Sequence, residues 1–140
     1  MRPQTFNYGK INGIPAPLIP LGLGYQGRWA RVEGYVDSGS LYSLFRAELA
    51  AGLGIEFEKG ERVYLQGVSG AAIPAYVHEV DIQLKEFRFE GKIAFSEKIG
   101  VGFNIIGRRS FFERFRVCFN DVEEIVTFTP LQEGCYRASE

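Results

Sequence analysis

Residues 75–84, AYVHEVDIQL, constrain the fold more than any other stretch of the sequence. The apolar residues Val80, Ile82 and Leu84 are separated by Asp81 and Gln83, and this period of two is typical of a half-buried β-strand. Further segments with strand-like composition, most of them bounded by Gly, Asn, Asp or Pro, are PLIPLGL, WARVEGYV, RVYLQGV, FRFEGKIAF, RFRVCF and EIVTFTP. The sequence therefore predicts an all-β, mostly antiparallel domain.

Two stretches have a helical period instead. In SLFRAELAAGLG the apolar residues recur at helical spacing, Ser43 is a candidate N-cap, and Gly54 can supply the left-handed residue that ends a helix. In SFFERF, Ser110 and Glu113 have the spacing of a capping box ahead of a turn or two of helix. We therefore expect one or two short helices beside the strands.

The length of 140 residues fits a single domain over residues 1–140, with a core of about 15–130 and peripheral termini. Sixteen Lys and Arg against seventeen Asp and Glu give a net charge of −1, so nucleic acid is not an expected ligand. The apolar runs are strand-sized, and prolines and glycines interrupt the first twenty residues, unlike a signal peptide. We expect a cytoplasmic protein with no membrane partner.

Cysteine and histidine are too sparse for a disulfide framework or a metal site. Cys118 and Cys135 are the two cysteines and His78 is the single histidine, and most zinc sites need more ligands at closer spacing. We expect reduced thiols, with Cys118 in a strand, and neither a metal nor an organic cofactor.

The segment GLGYQG, Gly22 to Gly27, matches the Gly-x-Gly-x-x-Gly pattern of dinucleotide-binding loops. That motif requires a helix directly behind it, because the helix N-terminus holds the pyrophosphate. The next residues, RWARVEGYV, alternate like a strand, so the segment is interpreted as a glycine-rich hairpin loop.

The segment GYVDSGSLYSLF contains Asp37 in a turn between an apolar strand and an apolar helical stretch. Asp favours turns by bonding its own backbone, so Asp-Ser-Gly alone is weak evidence for a catalytic acid. The neighbouring residues strengthen the evidence for a catalytic acid, because Gly39 allows close backbone approach and the Ser38 and Ser40 hydroxyls can donate hydrogen bonds. Asp37 is therefore a candidate catalytic carboxylate.

Two other segments have both a structural and a functional interpretation. LQGVSGAAIPAY, residues 65–76, is a hairpin with a small-residue tip, and such a tip can also close over an extended ligand. FNIIGRRSFF, residues 103–112, is a strand followed by Gly, and Arg108 and Arg109 are either solvated charges or interface contacts.

Taken together and in this order, these three segments resemble the retropepsin-type aspartic proteases, which are single-domain, homodimeric relatives of pepsin. The resemblance covers most of residues 15–128 and implies a β-barrel with a flap hairpin. It also implies roles for particular residues: Asp37 as the catalytic acid, Ser38, Gly39 and Ser40 as support of the active-site loop, Gly67, Val68, Ser69 and Gly70 as the substrate-binding flap, and Ile106, Gly107 and Arg108 as the structural turn near the site.

The implied activity is an endopeptidase acting on polypeptides through a water held between two carboxylates that share one proton. The chain has one Asp-Ser-Gly, since Asp81 and Asp121 lack its turn, so the second carboxylate would come from a second copy in a two-fold dimer. In the family, the hydroxyl at Ser38 bonds across the dimer. The one at Ser40 bonds the catalytic carboxylate in some members, so we expect an acidic optimum.

Two departures from the retroviral pattern concern the dimer interface. Leu41 and Tyr42 stand where those enzymes have acidic partners for the Arg at the position of Arg108, so that ion pair has no obvious partner here. The chain also continues through NDVEEIVTFTP, which predicts a hairpin whose second strand pairs in cis. The alternative to a protease is a catalytically inactive retropepsin-like dimerisation or peptide-binding module.

Overall fold

The protein is described by a computed structural model that covers residues 2–66, 70–99 and 102–131. Strands dominate it, with one short α-helix, α1 (Ala47–Gly52), and a turn of 3-10 helix at Phe57–Lys59. The strands, in chain order, are β1 (Gln4–Asn7), β2 (Gly9–Ile11), β3 (Ile14–Ala16), β4 (Leu18–Tyr25), β5 (Arg28–Val36), β6 (Leu44–Arg46), β7 (Glu61–Gln66), β8 (Ala72–Leu84), β9 (Phe87–Ser96), β10 (Asn104–Ile106), β11 (Phe115–Asn120) and β12 (Ile125–Pro130). The predicted all-β class is confirmed.

The largest sheet closes on itself. Its strands pair in the order β4-β5-β10-β6-β9-β8-β7, and a further pairing between β4 and β8 joins the two sides into a ring. β10 runs parallel to β5 and β6 runs parallel to β9, whereas the other pairs in this sheet are antiparallel. The prediction of a mostly antiparallel domain is therefore confirmed, with β10 inserted between two strands that are distant from it in sequence.

The glycine-rich segment between β4 and β5 is a two-residue hairpin turn. Gln26 and Gly27 have φ values of 48° and 83°, and Tyr25 pairs with Arg28. Two positive φ values in succession match the hairpin turn that follows the right-handed twist of the strands. β5 follows where a dinucleotide-binding motif needs a helix, so the hairpin interpretation is confirmed.

A three-stranded sheet joins the two ends of the described chain. β12 pairs antiparallel with β11 on one edge and with β1 on the other. The predicted cis pairing of the second strand of this hairpin is confirmed. Cys118 lies exposed in β11 as a free thiol, and Cys135 lies outside the described residues.

The predicted helix at residues 43–54 forms only in its second half. Leu44–Arg46 are β6, α1 begins at Ala47, and Arg46 stands at its N-cap without a side-chain cap bond. The prediction of Ser43 as N-cap is therefore wrong. The end of the helix is as predicted: Gly54 has a φ of 78°, and the Gly54 and Ile55 amides bond back to Ala51 and Ala50, a Schellman motif.

The predicted capping box at Ser110 forms only in part. Glu113 accepts a 2.6 Å hydrogen bond from the Ser110 amide, as the motif requires. Ser110 itself has a φ of 73°, and its hydroxyl accepts from the Lys92 amide instead of capping a helix. Residues 108–114 are therefore a compact turn with one left-handed residue at its centre.

The main core cluster joins the ring to α1 and to the three-stranded sheet, since it contains Ala50, Phe6 and Phe128 besides residues of the ring. Along β8, Val80, Ile82 and Leu84 are buried in the main cluster, while Ala75 and Val77 on the opposite face belong to a smaller cluster that also includes Leu44 and Ala94. In the part of the chain that the structure describes, no helix is long and apolar enough to cross a membrane.

Candidate active site

Asp37 is the first residue after β5, and its backbone and side chain are both held in place. Its amide donates a 2.9 Å hydrogen bond to the carbonyl of Ile106, the last residue of β10. Its carboxylate Oδ1 accepts a 2.8 Å hydrogen bond from the Gly39 amide, and its carbonyl accepts one from the Ser40 amide at 3.2 Å. The carboxylate is half-buried, so it is both fixed by the turn and accessible from outside.

Gly39 lies in close contact with the Asp37 side chain. A Cβ built on Gly39 would lie 3.2 Å from Asp37 Oδ1, closer than most such contacts allow. Gly39 thus leaves room for the hydrogen bond that orients the carboxylate. Ser38, beside it, is exposed.

Ser40 does not bond the carboxylate, contrary to the expectation drawn from the family. Its hydroxyl donates to the Tyr42 carbonyl at 2.7 Å. A hydroxyl has one proton to donate, so Ser40 stabilises the loop and the Asp37 carboxylate takes its hydrogen bond from the Gly39 backbone instead.

The segment Ile106–Gly107–Arg108 packs directly against the Asp37 loop. Ile106 pairs with Val36 in the parallel ladder, and the Arg108 amide donates to the Ser40 carbonyl at 2.8 Å. A Cβ on Gly107 would lie 2.8 Å from that carbonyl oxygen and 2.6 Å from the carbonyl carbon of Tyr42. Only glycine fits between strand and loop here, so these residues lie together as the sequence predicts.

Two side chains stabilise the site in ways that the sequence did not predict. Ser43 was predicted as a helix N-cap, and the Asn104 side chain was assigned no role. The buried hydroxyl of Ser43 accepts from the Gly107 amide at 2.9 Å and donates to the Arg109 carbonyl at 3.2 Å. The Asn104 side chain donates to the Glu33 carbonyl at 2.8 Å and accepts from the Arg46 amide at 3.1 Å. The sequence signal for both was weak, because a buried polar residue is recognised only once its partners are known.

The two arginines after Gly107 differ in their surroundings. The Arg109 guanidinium lies 5.0 Å from the centre of the Tyr42 ring, a cation–π contact. Arg108 is exposed and makes no ion pair within the described residues.

The predicted flap hairpin is formed by β7 and β8. The pairing extends to Gln66 and Ala72, and Gly70 has a φ of 85°. The predicted tip residues Gly67, Val68 and Ser69 lie outside the described residues. At the other end of the hairpin the His78 ring nitrogen Nε2 lies 2.7 Å from the Phe57 carbonyl; because a carbonyl only accepts, Nε2 carries the proton.

A cavity of about 360 Å³ opens beside Asp37. Asp37 and Ser38 line it together with Tyr8, Phe119 and Asp121. The Tyr8 hydroxyl donates to Asp121 at 2.6 Å, and burial together with this hydrogen bond raises the pKa of Tyr8 to about 12. The sequence pattern does not predict that Tyr8 and Asp121, which are far apart in the sequence, lie together beside Asp37.

Comparisons with known proteins agree with this fold. At a TM-score of 0.65 and 14% identity, the chain is similar to a retropepsin-like aspartic protease from Rickettsia conorii, covering 91% of this chain and 98% of that one. The retroviral protease-like domain of Ddi1 from Leishmania major gives a TM-score of 0.55 at 14% identity, over 83% of this chain and 95% of that one. The EIAV protease, in complex with the inhibitor HBY-793, gives a TM-score of 0.52 at 16% identity, over 71% of this chain and 88% of that one. These similarities establish a retropepsin-like fold.

The family follows from the sequence itself. The sequence model of the aspartyl protease family matches residues 23–106, more than half of the chain and a span that includes Asp37, the β7–β8 hairpin and β10. No curated protein matches the sequence. The chain belongs to the aspartyl protease family.

Proposed function

We propose that the protein is a homodimeric aspartic endopeptidase whose catalytic pair is Asp37 from each of two copies. The observation that supports this most directly is the half-buried Asp37 carboxylate, which the Gly39 amide fixes at the end of β5. A carboxylate that is oriented by one hydrogen bond and is still accessible can bond a water or a second carboxylate. Family membership supports the same chemistry.

In the proposed reaction, two carboxylates share one proton because two like charges in close contact cannot both ionise cheaply. The ionised Asp37 takes a proton from the water, and the protonated Asp37 of the other copy hydrogen-bonds the carbonyl oxygen of the substrate. Water thereby adds to the peptide carbon, and proton transfer to the nitrogen completes cleavage. The substrate is a polypeptide in extended form, held by backbone hydrogen bonds beneath the β7–β8 hairpins.

The loop residues have supporting roles. The exposed Ser38 hydroxyl is free to bond across a two-fold axis, and Ser40, Ser43 and Gly107 keep the loop in one conformation. No metal or organic cofactor takes part in this reaction. Because one carboxylate must be protonated and the other ionised, we expect activity at acidic pH.

A retropepsin-like binding or dimerisation module is the second candidate. β12 pairs in cis on both of its edges, so neither edge of this strand is open for pairing with a second copy. If no dimer forms, each Asp37 lacks the second carboxylate that the reaction needs.

The test is cleavage of an unfolded protein mixture from about pH 3 to about pH 7 by the native chain and by Asp37→Asn. Asn keeps the shape of the side chain but cannot act as base or acid, so we expect loss of at least about a hundredfold in rate. Sedimentation of both proteins reports whether a dimer is present. Unchanged cleavage by the variant would contradict the mechanism, and a native protein that is monomeric and inert would favour the binding module.

A further inference from the structure

A second cavity lies far from Asp37. It has a volume of about 480 Å³ and opens on the outer side of β4 and β5, beside the turn between β8 and β9. Trp29, near the start of β5, lines it, whereas Asp37 follows the end of the same strand. Eight residues of extended chain separate the two by about 26 Å, so this cavity is not part of the candidate active site.

The cavity is cationic. Arg31, Lys85 and Arg88 line it, and no acidic residue is among the described residues that do. The ion pairs of the described chain, Arg2–Glu86 and Lys59–Glu56, leave these three cations out. None of these three cations therefore makes an ion pair within the described chain.

Two of the three cations are positioned by neutral groups. The Arg88 guanidinium lies 4.6 Å from the centre of the Trp29 ring and donates to the Gln83 side chain at 2.8 Å. Lys85 Nζ lies 4.6 Å from the centre of the Phe6 ring and donates to the Thr5 carbonyl. Positioning of this kind lowers the entropy lost when the cations bind a ligand.

Trp29 forms a flat apolar wall beside these charges. Its ring lies over β4, where a Cβ on Gly24 would be 2.7 Å from Trp29 Cε2, so glycine is required for the contact. The Trp29 side chain remains 41% exposed. The cavity thus combines cations with an accessible aromatic surface.

The surroundings limit the class of ligand. Along β5, Glu33 follows two residues after Arg31 and is exposed. On β8, Asp81 pairs with Gly24, and Glu90 pairs with Asp81 on β9. A long polyanion such as a nucleic acid would meet these carboxylates on either side of the cavity, whereas a short acidic segment would not.

We propose that this cavity binds a short acidic peptide segment, with its carboxylates on Arg31, Lys85 and Arg88 and a neighbouring apolar side chain against Trp29. Guanidinium groups bind carboxylates and phosphates alike through paired hydrogen bonds, so titration with inorganic phosphate is needed to distinguish the two. The site is separate from the proposed catalytic site, since no residue of the Asp37 loop is among the residues that line this cavity.

The experiment uses Trp29, the single tryptophan of the chain, as its reporter. A short Trp-free peptide rich in glutamate and leucine is titrated into the Asp37→Asn protein, which would not cleave it, and the tryptophan emission is followed. The same peptide with Gln for every Glu, inorganic phosphate and oligothymidylate are titrated in parallel. We expect saturable binding of the acidic peptide alone, weakened by added salt.

Arg31→Gln and Arg88→Gln, made separately, should each weaken peptide binding about tenfold, the usual effect of losing a charge-assisted hydrogen bond. Arg116→Gln is the matched control, because Arg116 is exposed on β11, outside the cavity. Circular dichroism of each variant establishes that it is folded, and Arg31→Gln leaves the Trp29–Arg88 contact intact. No binding of the acidic peptide, equal binding of the Gln peptide, tighter binding of phosphate or oligothymidylate, or unchanged binding by both folded cavity variants would each overturn the proposal.

Discussion

Ser43 joins the three chain segments around Asp37 through one buried residue. Its hydroxyl bonds the Gly107 amide and the Arg109 carbonyl, and its own carbonyl accepts the Ala94 amide at 2.9 Å. A buried backbone group that loses its partner costs free energy, because water cannot replace the lost bond. The shape of the loop therefore depends on this residue as much as on the glycines.

Ser43→Ala should lower the free energy of unfolding by about 2 kcal/mol, since it leaves the Gly107 amide without its partner. Urea unfolding monitored by circular dichroism measures this change. Ser38→Ala is the control: Ser38 is exposed, and the change should stay within about 0.5 kcal/mol when the chain is monomeric. Equal stability of the two variants would show that the Ser43 bonds contribute little.

At the scale of single residues, the sequence predicts positions whose constraint is local. Asp37, Gly39 and Gly107 lie in a turn and at a strand end, and their neighbours in sequence show this. Ser43 was predicted as a helix cap, and Ser40 was expected to bond the carboxylate. Both differ because their partners, Gly107 and the Tyr42 carbonyl, depend on how the loop packs in three dimensions.

Among the elements, α1 depends on its last turn. The helix is six residues long and has no side-chain N-cap bond, so its C-terminal motif contributes a large share of its local stability. Gly52 and Gly54 stand two residues apart in different backbone conformations, since only Gly54 has a positive φ.

Gly54→Ala should destabilise the protein by about 1 kcal/mol, because alanine is strained at a φ of 78°. Gly52→Ala should instead stabilise it by about 0.5 kcal/mol or more, because Gly52 is helical and a Cβ there meets no atom within 4 Å. Thermal unfolding of the two variants beside the native chain measures the opposite shifts. Shifts of the same sign would contradict this account of the helix end.

Most hairpins follow from the sequence, and the strand insertions do not. The turns after β4 and β7 can be predicted from their glycines and from the alternation of apolar and polar residues in the strands beside them. The short β2–β3 hairpin carries a signal in Asn12 and Gly13, which have φ values of 51° and 78°, but its strands are too short for a periodic pattern. β10 pairs with β5 and β6 across about 60 to 70 residues of chain, and no local pattern encodes such pairing.

For the molecule as a whole, the contact between Tyr8 and Asp121 joins the beginning of the described chain to the turn between β11 and β12. The Tyr8 amide also donates to the Glu124 carbonyl at 2.8 Å, next to the pairing of β1 with β12. The Tyr8 phenol can donate to Asp121 only when it is protonated, and burial and the Asp121 bond both favour that form.

The raised pKa of Tyr8 predicts the pH dependence of stability. The group keeps its proton more tightly in the folded state, so its contribution is fully present below the ordinary tyrosine pKa of 10.0 and is lost as the pH rises through about 12. The native chain should therefore be more stable than Tyr8→Phe at neutral pH, and the difference should shrink between those two values. Urea unfolding of both proteins at several pH values measures it, and a constant difference would contradict the assignment.

The insertion of β10 between β5 and β6 also determines when the Asp37 loop can take its shape. Residues 34–46 are synthesised well before residues 104–108, yet three of their contacts are made with the later segment. The Asp37 amide bonds the Ile106 carbonyl, and the Ser43 hydroxyl bonds the Gly107 amide. Gly34 packs against Ile106 so closely that an added Cβ would lie 2.7 Å from it. During translation the loop therefore lacks its partners until β10 has left the ribosome. Whatever chemistry Asp37 performs, a growing chain acquires it late, after the β7–β8 hairpin is available to fold.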